Sequence, residues 1–183
     1  MLSYLIVTLA GYLLGSVPSG VIISRVFARR DVRQVGSRHT GTLNTVRAAG
    51  IGAGVFAFLA DTGKAIVAIE LARVVTGSEW GMVMAGIAAV VGHCWPLYTG
   101  LHGGMGLATA GAALFVLDTP LLFVLIALWF PLKYLLKQSP RASMGVALLL
   151  PVGLLVTRAD PPMLAFGIGA GAVLFYRHLK SHR

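Results

Sequence analysis

Residues 2–24 read LSYLIVTLAGYLLGSVPSGVIIS, a run without a single charged side chain, closed by Arg25 and then by Arg29 and Arg30. A stretch this long and apolar meets the roughly 20 residues an α-helix needs to cross the hydrocarbon of a bilayer. No basic residue precedes it and no small-residue cleavage pattern follows a short apolar core, so it reads as a retained first span and not as a signal peptide. The same punctuation of apolar runs by charge, Gly and Pro recurs over 51–75, 81–98, 105–118, 120–137, 142–158 and 161–177. The fourth and sixth of these runs are short. Composition agrees: 57% of the 183 residues are hydrophobic and 11% are charged, against about 25% charged in a soluble domain. The expectation is an all-α integral membrane protein, a single domain over 1–183 built as a bundle of about seven transmembrane helices.

Charge orients the bundle. Fifteen Lys and Arg stand against six Asp and Glu, for a net +9. Six of the arginines (25, 29, 30, 33, 38 and 47) follow the first span, Lys133, Lys137 and Arg141 follow the fifth, and Arg177, Lys180 and Arg183 end the chain. Only Arg73 and Arg158 fall on the other side, and Lys64 lies inside a span. Cytoplasmic loops collect Lys and Arg, so the N-terminus is expected outside and the C-terminus in the cytoplasm. The same rule accounts for the basic excess without nucleic acid; the expected surroundings are membrane lipids. Among the 23 glycines, the pairs Gly11/Gly15, Gly77/Gly81 and Gly167/Gly171 have the spacing that lets helix backbones approach closely.

Three polar segments interrupt this pattern. The first inner loop holds Gly36, Ser37, Arg38, His39, Thr40, Gly41, Thr42 and Asn44 before Arg47. Such a loop either wraps a phosphate with main-chain N–H groups or simply contacts head groups and sets topology. Asp61 and Lys64 share one face of the second span, where each neutralises the other; structural pairing and a direct role in chemistry both account for them. The segment from Gly92 to Gly106 carries His93, Pro96, His102, Gly103 and Gly104. That content is incompatible with a simple helix end, so an irregular stretch buried against the protein is expected. His93 is read as orienting this loop by hydrogen bonding. The single Cys94 gives neither a disulfide nor a thiolate metal site, and no ligand spacing for a metal is present. No cofactor is called for.

Taken together, these blocks resemble the acyl-phosphate:glycerol-3-phosphate acyltransferase family (PlsY) of bacterial membranes. Gly15-Ser16-Val17-Pro18-Ser19-Gly20 resembles its Gly-Ser-x-Pro-x-Gly opening, and Asp31-x-Arg33-x-x-Gly36-Ser37 the entry to its phosphate loop. Asn44-x-x-Arg47, Asp61-x-x-Lys64, Gly92-His93-x-x-Pro96, Gly103-Gly104-x-Gly106 and Tyr176-Arg177-His178 follow in the family's order. The resemblance implies a seven-helix bundle in the bacterial inner membrane. It implies transfer of an acyl chain from acyl phosphate to glycerol 3-phosphate, giving lysophosphatidate by direct attack without an acyl-enzyme. By position it implies glycerol-phosphate contacts at Ser37, Arg47, Ser143 and His178, with Ser37, Arg47 and His178 as the catalytic set. The acyl-phosphate cradle falls on the loop from Gly36 through Gly41 to Asn44, with Gly103, Gly104 and Gly106 as further substrate contacts.

This chain departs from the family pattern at Arg38, His39, Thr42 and Leu43, and above all at Met105, where the family carries a lysine. His102 and the 178–181 segment depart as well. The substitutions leave room for a different acceptor on the same scaffold, or for a membrane protein that binds without catalysis.

Overall fold

A computed structural model describes residues 1–158 and 160–181; Arg183, counted above with the basic tail, lies outside them. Among the described residues there are eight α-helices and no strand: α1 (Leu2–Ser16), α2 (Ser19–Ala28), α3 (Thr42–Thr76), α4 (Glu79–Cys94), α5 (Leu107–Leu117), α6 (Thr119–Leu136), α7 (Ser139–Thr157) and α8 (Pro161–Ser181). α1 and α2 belong to one apolar segment, Leu2–Ala28, interrupted at Val17 and Pro18. Eight helices therefore make the seven expected units. Leu2–Ala28, Glu79–Thr99, Thr119–Leu136 and Ser139–Thr157 are long and apolar enough to cross a membrane on length and composition alone. α3 carries Arg47, Asp61, Lys64, Glu70 and Arg73, α5 has only 11 residues, and α8 ends in Arg177, His178 and Lys180.

The largest departure from the sequence reading is α3, which begins at Thr42 and not at 51. At Gly50 the backbone turns to φ 88°, ψ 172°, a conformation open to glycine, and then resumes as helix. The stretch 42–49 is thus a short helix folded against the long one. Val46 occupies the space where Gly54 lacks a side chain. The segment read as the exit of a loop, Asn44 to Arg47, is helical.

Backbones meet where small residues allow it. A Cβ on Gly11 would strike the Ala85 carbonyl, one on Gly15 that of Ala89 and one on Gly92 that of Tyr12, which is how α1 and α4 come to lie together. Gly167 and Gly171 do the same for α8 against Pro151 and Ala147 of α7. Gly77 and Gly81 do not form such a pair, because Gly77 ends α3 and Gly81 lies under Thr76 of the same turn.

The main apolar core gathers Ile69, Val83, Leu114, Leu121, Leu154 and Phe166 toward the end of the bundle where α5 meets α6. Large apolar side chains such as Leu5, Phe56, Phe123, Phe130 and Leu155 face outward, the arrangement a lipid solvent favours. The polar blocks collect at the opposite end, where α4 stops, α5 starts and α8 finishes.

Candidate active site

Asp31 opens the first polar loop and is fully occupied. Its carboxylate accepts from the Arg33 backbone N–H at 3.0 Å, from Arg33 Nη2 at 2.7 Å and from Arg25 Nη2 at 2.9 Å. These bonds, Arg33's above all, hold the carboxyl well below the usual carboxylate range. Arg25 and Arg33 are therefore committed to folding the loop.

Asn44, nearly buried, ties the rest together. Its Nδ2 donates to the carbonyls of Val32, Val35 and His39 at 2.8–2.9 Å, and its Oδ1 accepts from the Ser37 N–H at 3.2 Å. The amide expected among the substrate contacts is thus the hub of the loop.

Gly36, Ser37 and Arg38 form the exposed lip. A Cβ on Gly36 would press on Asn44 Oδ1 and lie 3.2 Å from Arg47 Cδ, so the arginine stem lies along this turn. Arg47 is exposed, and no carboxylate among the described residues pairs with it. Arg38 adopts φ 60°, a left-handed conformation that costs a residue with a Cβ roughly 1–2 kcal/mol. Gly41 precedes α3 with open space where a side chain would stand.

The segment 95–106 is irregular, but only half of it is buried. Leu97, Tyr98 and 100–102 are exposed, whereas Pro96, Gly103, Gly104 and Gly106 are packed in. A Cβ on Gly103 would meet Pro96 Cδ at 2.5 Å and the Cys94 carbonyl at 2.7 Å, and one on Gly104 would enter the His93 ring. Gly104 N–H donates to the His93 carbonyl at 3.0 Å. Arg177 of α8 then clasps the same turn, donating from Nε to the Gly104 carbonyl and from Nη2 to that of Gly103, both at 2.9 Å, with its guanidinium 5.7 Å from the Trp95 ring centre.

His39 joins the two segments. It is hydrogen-bonded to the Gly103 backbone, and burial together with the adjacent Arg177 charge lowers its pKa from the ordinary histidine value. His178, buried, lies in the electrostatic range of His39 and holds the Leu174 carbonyl at 2.8 Å through Nδ1. The loop, the glycine turn and the end of α8 therefore converge, bringing Ser37, Arg47, His178, Gly103 and Gly104 to one end of the bundle. Gly106, at φ 86°, starts α5 beside Cys94 and Leu174.

Beneath them sits a second polar cluster. Asp61 is 1% exposed, and its Oδ1 lies 3.0 Å from Lys64 Nζ and 3.3 Å from His93 Nδ1. Oδ2 makes no hydrogen bond among the described residues, so the pairing rests on Oδ1. Lys64 also donates at 3.1 Å to the Val17 carbonyl, which accepts from the Ser19 N–H as well, and so ties α3 to the break in the first span.

Ser143 lies on α7, against Trp129 of α6. Its hydroxyl donates to the Ser139 carbonyl at 2.9 Å and accepts from Trp129 Nε1 at 3.2 Å. The α7–α8 register set by Ala147 against Gly171 carries Ser143 to the level of Phe175, about one turn short of His178. Trp129 lines an apolar cavity of about 410 Å³ between α3, α5, α6, α7 and α8, whose wall includes Phe58, Leu107, Leu125, Val146 and Leu174. Leu107 directly follows Gly106 and Leu174 holds His178, so the cavity opens beneath the polar end.

The sequence reading passed over Arg177 and Trp129 as site residues. A hint existed for each: Arg177 interrupts a segment otherwise apolar enough for lipid, and Trp129 precedes Lys133 by one helical turn, with the ammonium 5.1 Å from its ring centre.

The sequence profile described as glycerol-3-phosphate acyltransferase matches residues 5–183. A glycerol-3-phosphate acyltransferase of Rubrobacter xylanophilus is 36% identical over 183 residues, covering 100% of this chain and 91% of that protein. Glycerol-3-phosphate acyltransferase 1 of Moorella thermoacetica is 38% identical over 170 residues, covering 91% and 85%. Among solved structures, the crystal structure of PlsY, an integral membrane glycerol 3-phosphate acyltransferase, in its glycerol 3-phosphate form superposes with a TM-score of 0.86 at 30% identity, covering 97% of this chain and 89% of that one. Its lysophosphatidic acid form gives 0.83 at 29% identity, with the same coverage.

Proposed function

The chain belongs to the glycerol-3-phosphate acyltransferase family, and on that premise we propose how its geometry serves the reaction. It is an acyltransferase of the bacterial cell membrane that acylates glycerol 3-phosphate in phospholipid synthesis. The donor is an acyl phosphate. The observation that carries this reading is the junction of an apolar cavity with a polar end whose carboxylates, Asp31 and Asp61, are already paired and whose Arg38 and Arg47 stand exposed: the cavity takes the acyl tail, and the polar end takes two phosphates. The loop over 36–44 receives the acyl phosphate, with main-chain N–H groups at the transferring centre. Arg47 pairs with a phosphate through its forked guanidinium. Ser37, Ser143 and His178 orient glycerol 3-phosphate, while Gly103, Gly104 and Gly106 keep backbone close to the reactants.

The primary hydroxyl attacks the acyl carbonyl directly. A C–O bond forms as the acyl–phosphate bond breaks, and phosphate leaves with the bonding pair and takes up the hydroxyl proton. An acyl-enzyme on Cys94 is disfavoured by that thiol's position, fully buried under Gly106. Asp61, Lys64 and His93 act from below by fixing the turn at Gly104. The basic loops at the active end support a cytoplasmic C-terminus and an external N-terminus.

The donor assignment is tested by offering the purified protein glycerol 3-phosphate with palmitoyl phosphate or with a palmitoyl thioester. Lysophosphatidate from the acyl phosphate alone is the expected result. Equal use of the thioester, or loss of turnover in Cys94→Ala, would overturn it.

A further inference from the structure

Each of the six Asp and Glu side chains, all among the described residues, already has a partner within the protein. Asp31 is held by Arg25 and Arg33, Asp61 by Lys64 and His93, Glu70 by Arg73, and Glu79 and Asp160 by Arg158. Asp118 accepts from the Leu121 N–H at the start of α6 and from Thr157 Oγ1. The place where the loop, the glycine turn and α8 meet is left with Arg38, His39, Arg47, Arg177 and His178, all cationic or able to become so.

Within that group the tasks differ. Arg177 is spent on the carbonyls of Gly103 and Gly104. Arg38 and Arg47 stand on the exposed lip. His39 is half-buried between the lip and α8, with its backbone carbonyl fixed by Asn44 and its imidazole on the Gly103 backbone. We infer that His39 is a substrate-binding residue that donates a hydrogen bond, as imidazolium, to the phosphate of a bound substrate. An imidazolium donates from both ring nitrogens, so a bond to the Gly103 backbone and one to a phosphate are compatible.

Burial and the Arg177 charge both act against the charged ring. A dianionic phosphate reverses that balance, so binding near neutral pH takes up a proton. The groups facing the ring are Arg177 and His178 from α8 and the backbone of Gly103, with Arg38 adjacent in the chain. None of them is an acid. Affinity for that phosphate therefore falls as pH rises through the bound-state pKa of His39. The inference rests on the acyltransferase reading, but equilibrium binding tests it without turnover.

The phosphate belongs to glycerol 3-phosphate or to the acyl phosphate, and separate arms distinguish the two. In wild type, His39→Gln and His39→Lys, KM is measured for each substrate with the other saturating, from pH 6 to 9. Calorimetry of glycerol 3-phosphate binding runs alongside, in two buffers of different ionisation enthalpy. The expected result is a rise of about tenfold in one of the two KM values for His39→Gln, one charge-assisted hydrogen bond's worth, with kcat within about twofold by the same reasoning. The pH dependence of that KM flattens relative to wild type, and His39→Lys restores a low KM that persists to higher pH. Comparing variants with wild type cancels the ionisation of the substrates.

A glycerol 3-phosphate arm that moves is accompanied by lost proton uptake in calorimetry; an acyl phosphate arm that moves is not. Both KM values unchanged in His39→Gln would overturn the inference, as would His39→Lys matching His39→Gln at every pH. Glycerol 3-phosphate binding that weakens and loses its proton uptake in His39→Gln, with no lysophosphatidate from wild type, would sink the acyltransferase reading and leave this inference standing.

Discussion

Two polar clusters lie within a few helical turns of each other, one around Asp61 and one around Arg47. In the first, Lys64, His93 and the Val17 carbonyl close the charges on one another. In the second, Arg38 and Arg47 are exposed, and each Asp and Glu side chain among the described residues is engaged with another partner. Buried charge is tolerated only when paired, because desolvation is otherwise severe. The Asp61 cluster balances its charge within the chain, though Oδ2 is left without a donor among the described residues, whereas no carboxylate among the described residues pairs with Arg47. Paired polar groups build the scaffold, and the unmatched cations are where the proposed reaction places the substrate phosphates.

That division makes opposite demands on mutants. Asp61→Ala leaves the Lys64 ammonium buried without its carboxylate and should cost about 3–5 kcal/mol of stability, read as a lower unfolding midpoint in detergent. Asp61→Ala combined with Lys64→Met should recover a good part of this loss, since the two sites share one interaction. A double mutant as unstable as the sum of the singles would break the contrast at its first term. Arg38→Gly relieves the left-handed strain and should stabilise the loop by at most about 1–2 kcal/mol, less the entropy that glycine adds to the unfolded chain. At the opposite end, Arg158→Ala removes exposed pairs with Glu79 and Asp160 and should change stability by less than about 1 kcal/mol. A larger effect there would mean that surface charge, not the buried cluster, holds the bundle.

Most of the fold was legible because a bilayer imposes length and apolarity on each crossing, and the seven runs from 2–24 to 161–177 correspond to the seven helical units. What escaped was structure built from polar residues. The stretch 42–49 carries Asn44 and Arg47 and has no apolar run long enough to mark a helix, and the break at Gly50 hid its continuity with α3. Gly77 and Gly81 have the spacing of a packing pair, but spacing does not distinguish a helix interior from a turn. The convergence of the loop, the glycine turn and α8 was implied only by resemblance, because no periodicity reports contacts between residues as distant in sequence as His39 and Arg177. Asn44 looked like a substrate contact for the same reason: its amide type is visible in the sequence, and the carbonyls of Val32, Val35 and His39 that occupy it are not.

The most direct measurement sets Arg47→Ala beside wild type in one experiment that reads both lysophosphatidate formation and the unfolding midpoint. An open cation that meets a substrate phosphate predicts a fall in kcat/KM of roughly 10- to 150-fold, from about 1.5–3 kcal/mol for a charged hydrogen bond, with the midpoint unchanged. Undiminished turnover in Arg47→Ala, or a loss of activity that only follows a loss of stability, would contradict the account.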